Sequence, residues 1–181
     1  MTIVPDGVLS NSNNAFKSLR SELVDKHKLI GIISMPTGIF MSSAKKGSAS
    51  KGAGVKTSFI IFEKTNNGGT DNVWFYNMMN DGFSLDAKRL PIDLCDIPDI
   101  IKRFNNLSEE FKRERTEQSF MVSVEEIKAN DYELTFNKYK KVSNDVTSLR
   151  ETSEILEDIK SLNEEILDDF DILENLLEGI E

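Results

Sequence analysis

Four short β-type runs fall within the first eighty residues, and only one helical stretch lies among them. Thr2-Ile3-Val4 is β-branched and apolar and is broken by Pro5-Asp6-Gly7. The next runs are Leu29 to Ser34, Val55 to Phe62, and Val73 to Tyr76. Between the first two, Phe16, Leu19, Leu23 and Val24 recur at helical spacing. The spacing predicts a helix capped by Asn13 or Asn14 and running to about His27. A polar loop from Ser42 to Gly54 and a turn at Asn66-Asn67-Gly68-Gly69 separate the later strands. Strand, helix, strand, loop, strand, turn, strand is an α/β order. A parallel strand such as Ile3-Val4 expects neighbours on both edges and helices on both faces. Only one covering helix is in view, so the sheet is expected to continue in sequence outside this chain.

Beyond Asp81 the chain is more polar. A helix is expected within Ile97 to Phe111, with Pro98 at its start. Val122 to Tyr139 reads as a short strand, a turn at Asn130-Asp131, and another strand. The last element is an amphipathic helix. Ile155, Ile159, Leu162, Ile166, Phe170, Leu173, Leu177 and Ile180 recur at steps of three and four, with acids on the other face. The step of four from Ile166 to Phe170 breaks a strict heptad and suits a short bundle.

The charge is divided along the chain. The net charge is −9, but residues 145–181 carry thirteen acids against two bases, so residues 1–144 are net +2. No acid lies between Phe40 and Phe62, where Lys45, Lys46, Lys51 and Lys56 cluster. Such a cluster suits either phosphate contacts or a solvated loop. No apolar run approaches the roughly 20 residues that cross a bilayer. The single cysteine, Cys95, has no internal disulfide partner, which agrees with a cytoplasmic protein, and its apolar setting predicts a buried side chain. Gly52-Ala53-Gly54 opens a strand rather than a helix and so is not a dinucleotide-binding loop. His27 is the only histidine, and no metal-ligand spacing surrounds it. Residue chemistry alone identifies no active site.

A succession of segments nevertheless resembles one family. Ile3-Val4-Pro5-Asp6-Gly7-Val8-Leu9 comes first, then Leu29 to Phe40, whose end, Pro36-Thr37-Gly38-Ile39-Phe40, is similar to a Pro-x-Gly-Val-Phe pattern. Gly54-Val55-Lys56-Thr57 opens the third run. Val73-Trp74-Phe75-Tyr76, Asp81-Gly82-Phe83 and Asn130-Asp131-Tyr132-Glu133-Leu134 with Asn137-Lys138-Tyr139 continue the order. Each segment is moderately specific, and their succession is highly specific. Together they resemble the C-terminal part of modification (methylase) subunits of type I restriction-modification systems.

The resemblance implies a Rossmann-like sheet of seven strands, the last antiparallel, of which this chain holds the fifth to seventh, followed by an α-helical C-terminal extension. Residues 1–80 are expected to carry the methyltransferase strands, 81–144 a mixed α/β extension, and 145–181 the assembly helix. Family members transfer a methyl group from S-adenosylmethionine to the exocyclic amino group of adenine in DNA, after the base has left the stack. They use an Asn-Pro-Pro-Phe (or Tyr) motif and a Phe-x-Gly-x-Gly-type cofactor motif. Neither is present. The four prolines follow Val4, Met35, Leu90 and Ile97, never asparagine. The chain alone is therefore expected neither to bind the cofactor properly nor to methylate.

Phe62 is, by the resemblance, the aromatic that stacks on the flipped base, with Lys56 and Thr57 beside the same pocket; Phe62 as plain core is the equal alternative. The stripe from Ile155 to Ile180 is implied to pack on a DNA-specificity subunit, against the alternative of packing on its own domain. A second modification subunit and a separately encoded N-terminal half are further expected partners. The competing function is a non-enzymatic interaction module, or gene remnant, that keeps only the assembly helix.

Overall fold

The computed structural model describes residues 1–40, 55–86 and 88–141, together with 156, 159–161, 163 and 166. The chain divides into two units, Met1–Val142 and Ser143–Glu181.

In the first unit, β1 (Thr2–Pro5) leads into a short helix α1 (Asp6–Ser10) and then α2 (Asn14–Lys26). Asn13 is the cap of α2: its side chain accepts from the Ala15 N–H at 2.9 Å, which satisfies one of the donors a helix start leaves open. The chain returns as β2 (Lys28–Ser34), β3 (Thr57–Glu63) and β4 (Asn72–Asn77). A small hairpin, β5 (Asp81–Phe83) with β6 (Pro91–Cys95), precedes α3 (Ile97–Phe104) and α4 (Leu107–Glu110). Then come β7 (Ser119–Ser123), α5 (Val124–Ala129) and α6 (Phe136–Tyr139).

The main sheet has the order β1-β3-β2-β4-β7. β3 runs antiparallel to both β1 and β2, whereas β2 and β4 are parallel. β1, β2 and β4 therefore all point one way, with β3 inserted against them. This corrects the expectation of a parallel pairing for Ile3-Val4. Its only partner among the described strands is β3, so β1 lies at the sheet edge and Ile3 is 46% exposed.

Both faces of the sheet are covered, which also corrects the single covering helix read from sequence. On one face, Ile32, Ile60, Phe75, Phe120 and Val122 pack with Leu9 and Val24 of α1 and α2 and with Ile127, Phe136 and Tyr139 of α5 and α6. On the other, Ile33, Ile61, Trp74 and Tyr76 pack against Ile100, Phe104 and Leu107 of α3 and α4. Gly31 permits the close crossing of β2 and β4: a Cβ there would lie 3.1 Å from the Trp74 ring and carbonyl.

The second strand expected before Tyr139 is replaced by helical turns. Ser123 caps α5 instead, accepting from Glu126 N–H, and Asp131 and Tyr132 both take positive φ, which ends the helix and turns the chain. Arg20 locks this turn onto the N-terminal helices. Its buried guanidinium group donates to the carbonyls of Tyr132, Val8 and Asn11 at 2.8–2.9 Å. Leu134 N–H donates to Leu9 carbonyl in the same seam. Cys95 is exposed rather than buried, as are all the residues of β6, which belongs to a two-stranded hairpin.

In the second unit, residues 156, 159–161, 163 and 166 are helical, and Leu156, Ile159 and Ile166 are exposed. Ile155, Leu162, Phe170, Leu173 and Leu177 lie outside the described residues. Among the described residues no helix is long and apolar enough to cross a membrane.

Candidate functional site

Ligands of open α/β sheets bind outside the carboxyl ends of the parallel strands. Here that edge is formed by Pro5, Ser34 and Asn77, together with the amino end of the reversed strand β3. The registers Pro5↔Thr57, Ser34↔Ser58 and Ser34↔Asn77 bring these residues side by side. Ser58, Ser34 and Asn77 thus form a polar row across three strands, one step beyond the apolar layer of Ile60, Ile32 and Phe75.

The row is tied at its end to the first turn after β1. Asp6 Oδ1 accepts from Ser58 Oγ at 2.7 Å. Asp6 N–H donates to the Lys56 carbonyl at 2.9 Å, and Met35 N–H donates to the Thr57 carbonyl at 3.0 Å. The start of β3 is therefore gripped from both sides. Lys56 Nζ lies 4.0 Å from Asp6 Oδ2. Thr57 Oγ1 is buried and has no hydrogen-bond partner among the described residues.

Lys56 and Thr57 thus sit together at the edge where such sheets bind ligands. Phe62 does not join them. It lies five residues along β3, about 17 Å away at strand rise, opposite Leu29 at the amino end of β2. There it packs against the core and lines an apolar groove of about 150 Å³ with Val4, Val8, Leu19 and Leu23. Of the two readings given for Phe62, the packing one describes its contacts. The physical reason is strand direction: because β3 is reversed, its carboxyl end is at the sheet's amino edge.

A different aromatic, Phe40, lies beyond the carboxyl end of β2. After β2 the chain turns through Pro36–Ile39 and reaches Phe40, which is 59% exposed. Ile39 anchors this turn in the second core cluster. Gly38 has φ +107°, and a Cβ there would lie 2.5 Å from the Leu85 carbonyl oxygen, so the turn is pressed against the hairpin loop. The signal for Phe40 was the Pro36-Thr37-Gly38-Ile39-Phe40 stretch, already singled out as a family-like segment. Lys45, Lys46 and Lys51 lie outside the described residues.

Among the described residues, the groove beside β1 offers few of the polar partners that S-adenosylmethionine needs. A nucleoside with two ribose hydroxyls and a charged amino-acid end needs several polar partners. The groove beside β1 is lined by apolar side chains together with Thr2 and Arg20, and Arg20 already donates to three carbonyls. Among the described residues no group of His, Cys, Asp and Glu could hold a metal ion. His27 instead accepts a hydrogen bond at Nδ1 from Asn66 N–H at 3.3 Å.

Comparison with known proteins gives a consistent result. A family model described as "N-6 DNA Methylase" matches residues 1–147. A structure solved for complex assembly and conformational transition of the type I restriction-modification system is 25% identical, with a TM-score of 0.56, over 99% of this chain and 35% of that one. The type I methyltransferase subunit from Streptococcus thermophilus is 23% identical, with a TM-score of 0.55, over 77% of this chain and 26% of that one. The EcoKI M protein, a type I restriction enzyme subunit, is 21% identical, with a TM-score of 0.51, over 79% of this chain and 34% of that one. The chain thus spans between 26% and 35% of the length of these three solved chains. No curated protein matches it.

Proposed function

Because the chain belongs to the N-6 DNA methylase family, we propose that it supplies the closing edge of the catalytic sheet in a type I modification subunit. The complete enzyme methylates the N6 amino group of adenine in DNA, using S-adenosylmethionine. This chain contributes one wall of the target-base pocket. The rest, including the cofactor site and the Asn-Pro-Pro-Phe motif, comes from polypeptide whose motifs this sequence does not contain. The observation that carries the reading is the family match over residues 1–147, together with a reversed strand β3 between β1 and β2.

Within that pocket Lys56 and Thr57 flank the extruded adenine, and Phe40, rather than Phe62, stacks on it. Stacking of this kind is worth about 1–3 kcal/mol per base. Lys45, Lys46 and Lys51 contact phosphates of the same DNA. The stripe Ile155, Ile159, Leu162, Ile166, Phe170, Leu173, Leu177 packs on a DNA-specificity subunit. A second modification subunit completes the complex, which acts in the cytoplasm.

Complementation tests this. The chain is mixed with the N-terminal part of a type I modification subunit and a specificity subunit, and transfer of labelled methyl groups to DNA is measured. Methylation that requires both pieces supports the reading. A mixture that assembles without methylating favours the interaction module, for which the missing catalytic motif speaks.

A further inference from the structure

We propose that Asp6 is a positioning residue that aims the Lys56 ammonium at a DNA phosphate lying along the carboxyl edge of the sheet. The inference rests on the reading above that DNA is what this edge meets.

Three contacts lock residue 6 against the start of β3. Its N–H is bound to the Lys56 carbonyl, its Oδ1 to the Ser58 hydroxyl, and its Oδ2 lies 4.0 Å from Lys56 Nζ. Ser58 is itself buried, so one carboxylate oxygen is anchored to the body of the sheet while the other faces the lysine. The Lys56 side chain remains 37% exposed. At 4.0 Å Asp6 Oδ2 forms an ion pair and no hydrogen bond, so it satisfies none of the three ammonium donors. A lysine stem has many rotamers, and an anchored carboxylate reduces that freedom before the ligand arrives. Lys56 lies within the run between Phe40 and Phe62, which contains no acid.

Simple charge counting makes the opposite prediction. An aspartate beside a phosphate-binding lysine repels DNA, so removing its charge should tighten binding. The positioning role predicts that removing it weakens binding. The sign of the effect therefore separates the two.

The test is binding of the 181-residue chain to a short fluorescent DNA duplex, followed by anisotropy across a series of salt concentrations. Lys56→Gln should weaken binding about eightfold at about 0.1 M salt and lower the slope of log affinity against log salt by about 1, the signature of one lost phosphate contact. Asp6→Asn, which is isosteric, should weaken binding rather than tighten it, and adding it to Lys56→Gln should have no further effect. Ser58→Ala, which leaves every charge in place and serves where Asp6→Asn folds poorly, should also weaken binding. Tighter or unchanged binding by Asp6→Asn with a normal melting curve, an unchanged slope for Lys56→Gln, or no salt-dependent binding by the parent chain would each overturn the inference. Failure of the complementation assay alone, with these binding results intact, would count against the methyltransferase reading and leave the Asp6–Lys56 pair standing.

Discussion

The indole Nε1 of Trp74 donates to the carboxylate of Glu110 at 2.9 Å, joining β4 to α4 inside the protein. Glu110 is only 2% exposed. It also accepts from Ser119 Oγ at 2.5 Å and from Arg103 Nη1 at 3.0 Å, and Arg103 Nε in turn binds Asp99, which accepts from Tyr76 OH. A buried charge is tolerated only when its partners are all present. Glu110→Ala removes the acceptor and leaves an indole, a hydroxyl and a guanidinium without it. We expect a loss of about 3–5 kcal/mol, read from the shift of the urea midpoint. A change below about 1 kcal/mol would mean that α3 and α4 are held by their apolar contacts alone.

The same carboxylate makes stability depend on pH. Burial raises its pKa, but hydrogen bonds from Ser119, Trp74 and Arg103 outweigh this and hold it below the usual glutamate range. Because the folded pKa is depressed, the contribution is complete above the ordinary glutamate value and is lost as pH falls through the folded value. Melting temperature should therefore drop in acid, and Glu110→Gln should flatten that drop while lowering stability at neutral pH. Parallel acid profiles for the two proteins would assign the acid transition to other carboxylates.

Phe40 and Phe62 should respond in opposite ways. Phe62→Ala empties part of the groove beside β1 and should cost about 2 kcal/mol of stability, less than a fully buried phenylalanine. Phe40→Ala should leave the melting temperature nearly unchanged, because the ring is largely exposed. In the complemented enzyme it should lower methyl transfer about tenfold or more, as loss of a stacking partner does. Equal methylation rates for Phe40→Ala and the parent would remove Phe40 from the pocket.

The outer side of β1 should make the isolated chain self-associate. Ile3 is 46% exposed and lies in a strand with no second partner among the described residues. Such an edge is a template for further pairing. Ile3→Lys should reduce association, seen as a smaller mass by light scattering at equal concentration. A monodisperse monomer before the substitution would contradict this.

Local signals in the sequence determined much of the molecule. The helical spacing of Phe16, Leu19 and Leu23 and the Asn13 cap placed α2, and the β-branched runs placed β1 to β4. The order of family-like segments pointed to the family whose model matches residues 1–147. These features are legible because each depends on neighbours a few residues away. Pairing partners in this sheet are far apart in the chain: Thr2 meets Ile60, and Trp74 meets Met121. The resemblance implied one antiparallel strand, and the tertiary structure decided that it is β3 and that it lies between β1 and β2. That reversal put Phe62 and the Lys56-Thr57 pair at opposite edges of the sheet. It likewise decided that Glu110, in a sequence crowded with acids, is a buried acceptor, while Cys95, in an apolar run, faces solvent. Burial depends on what the rest of the chain packs against a residue, and a one-dimensional pattern does not contain that information.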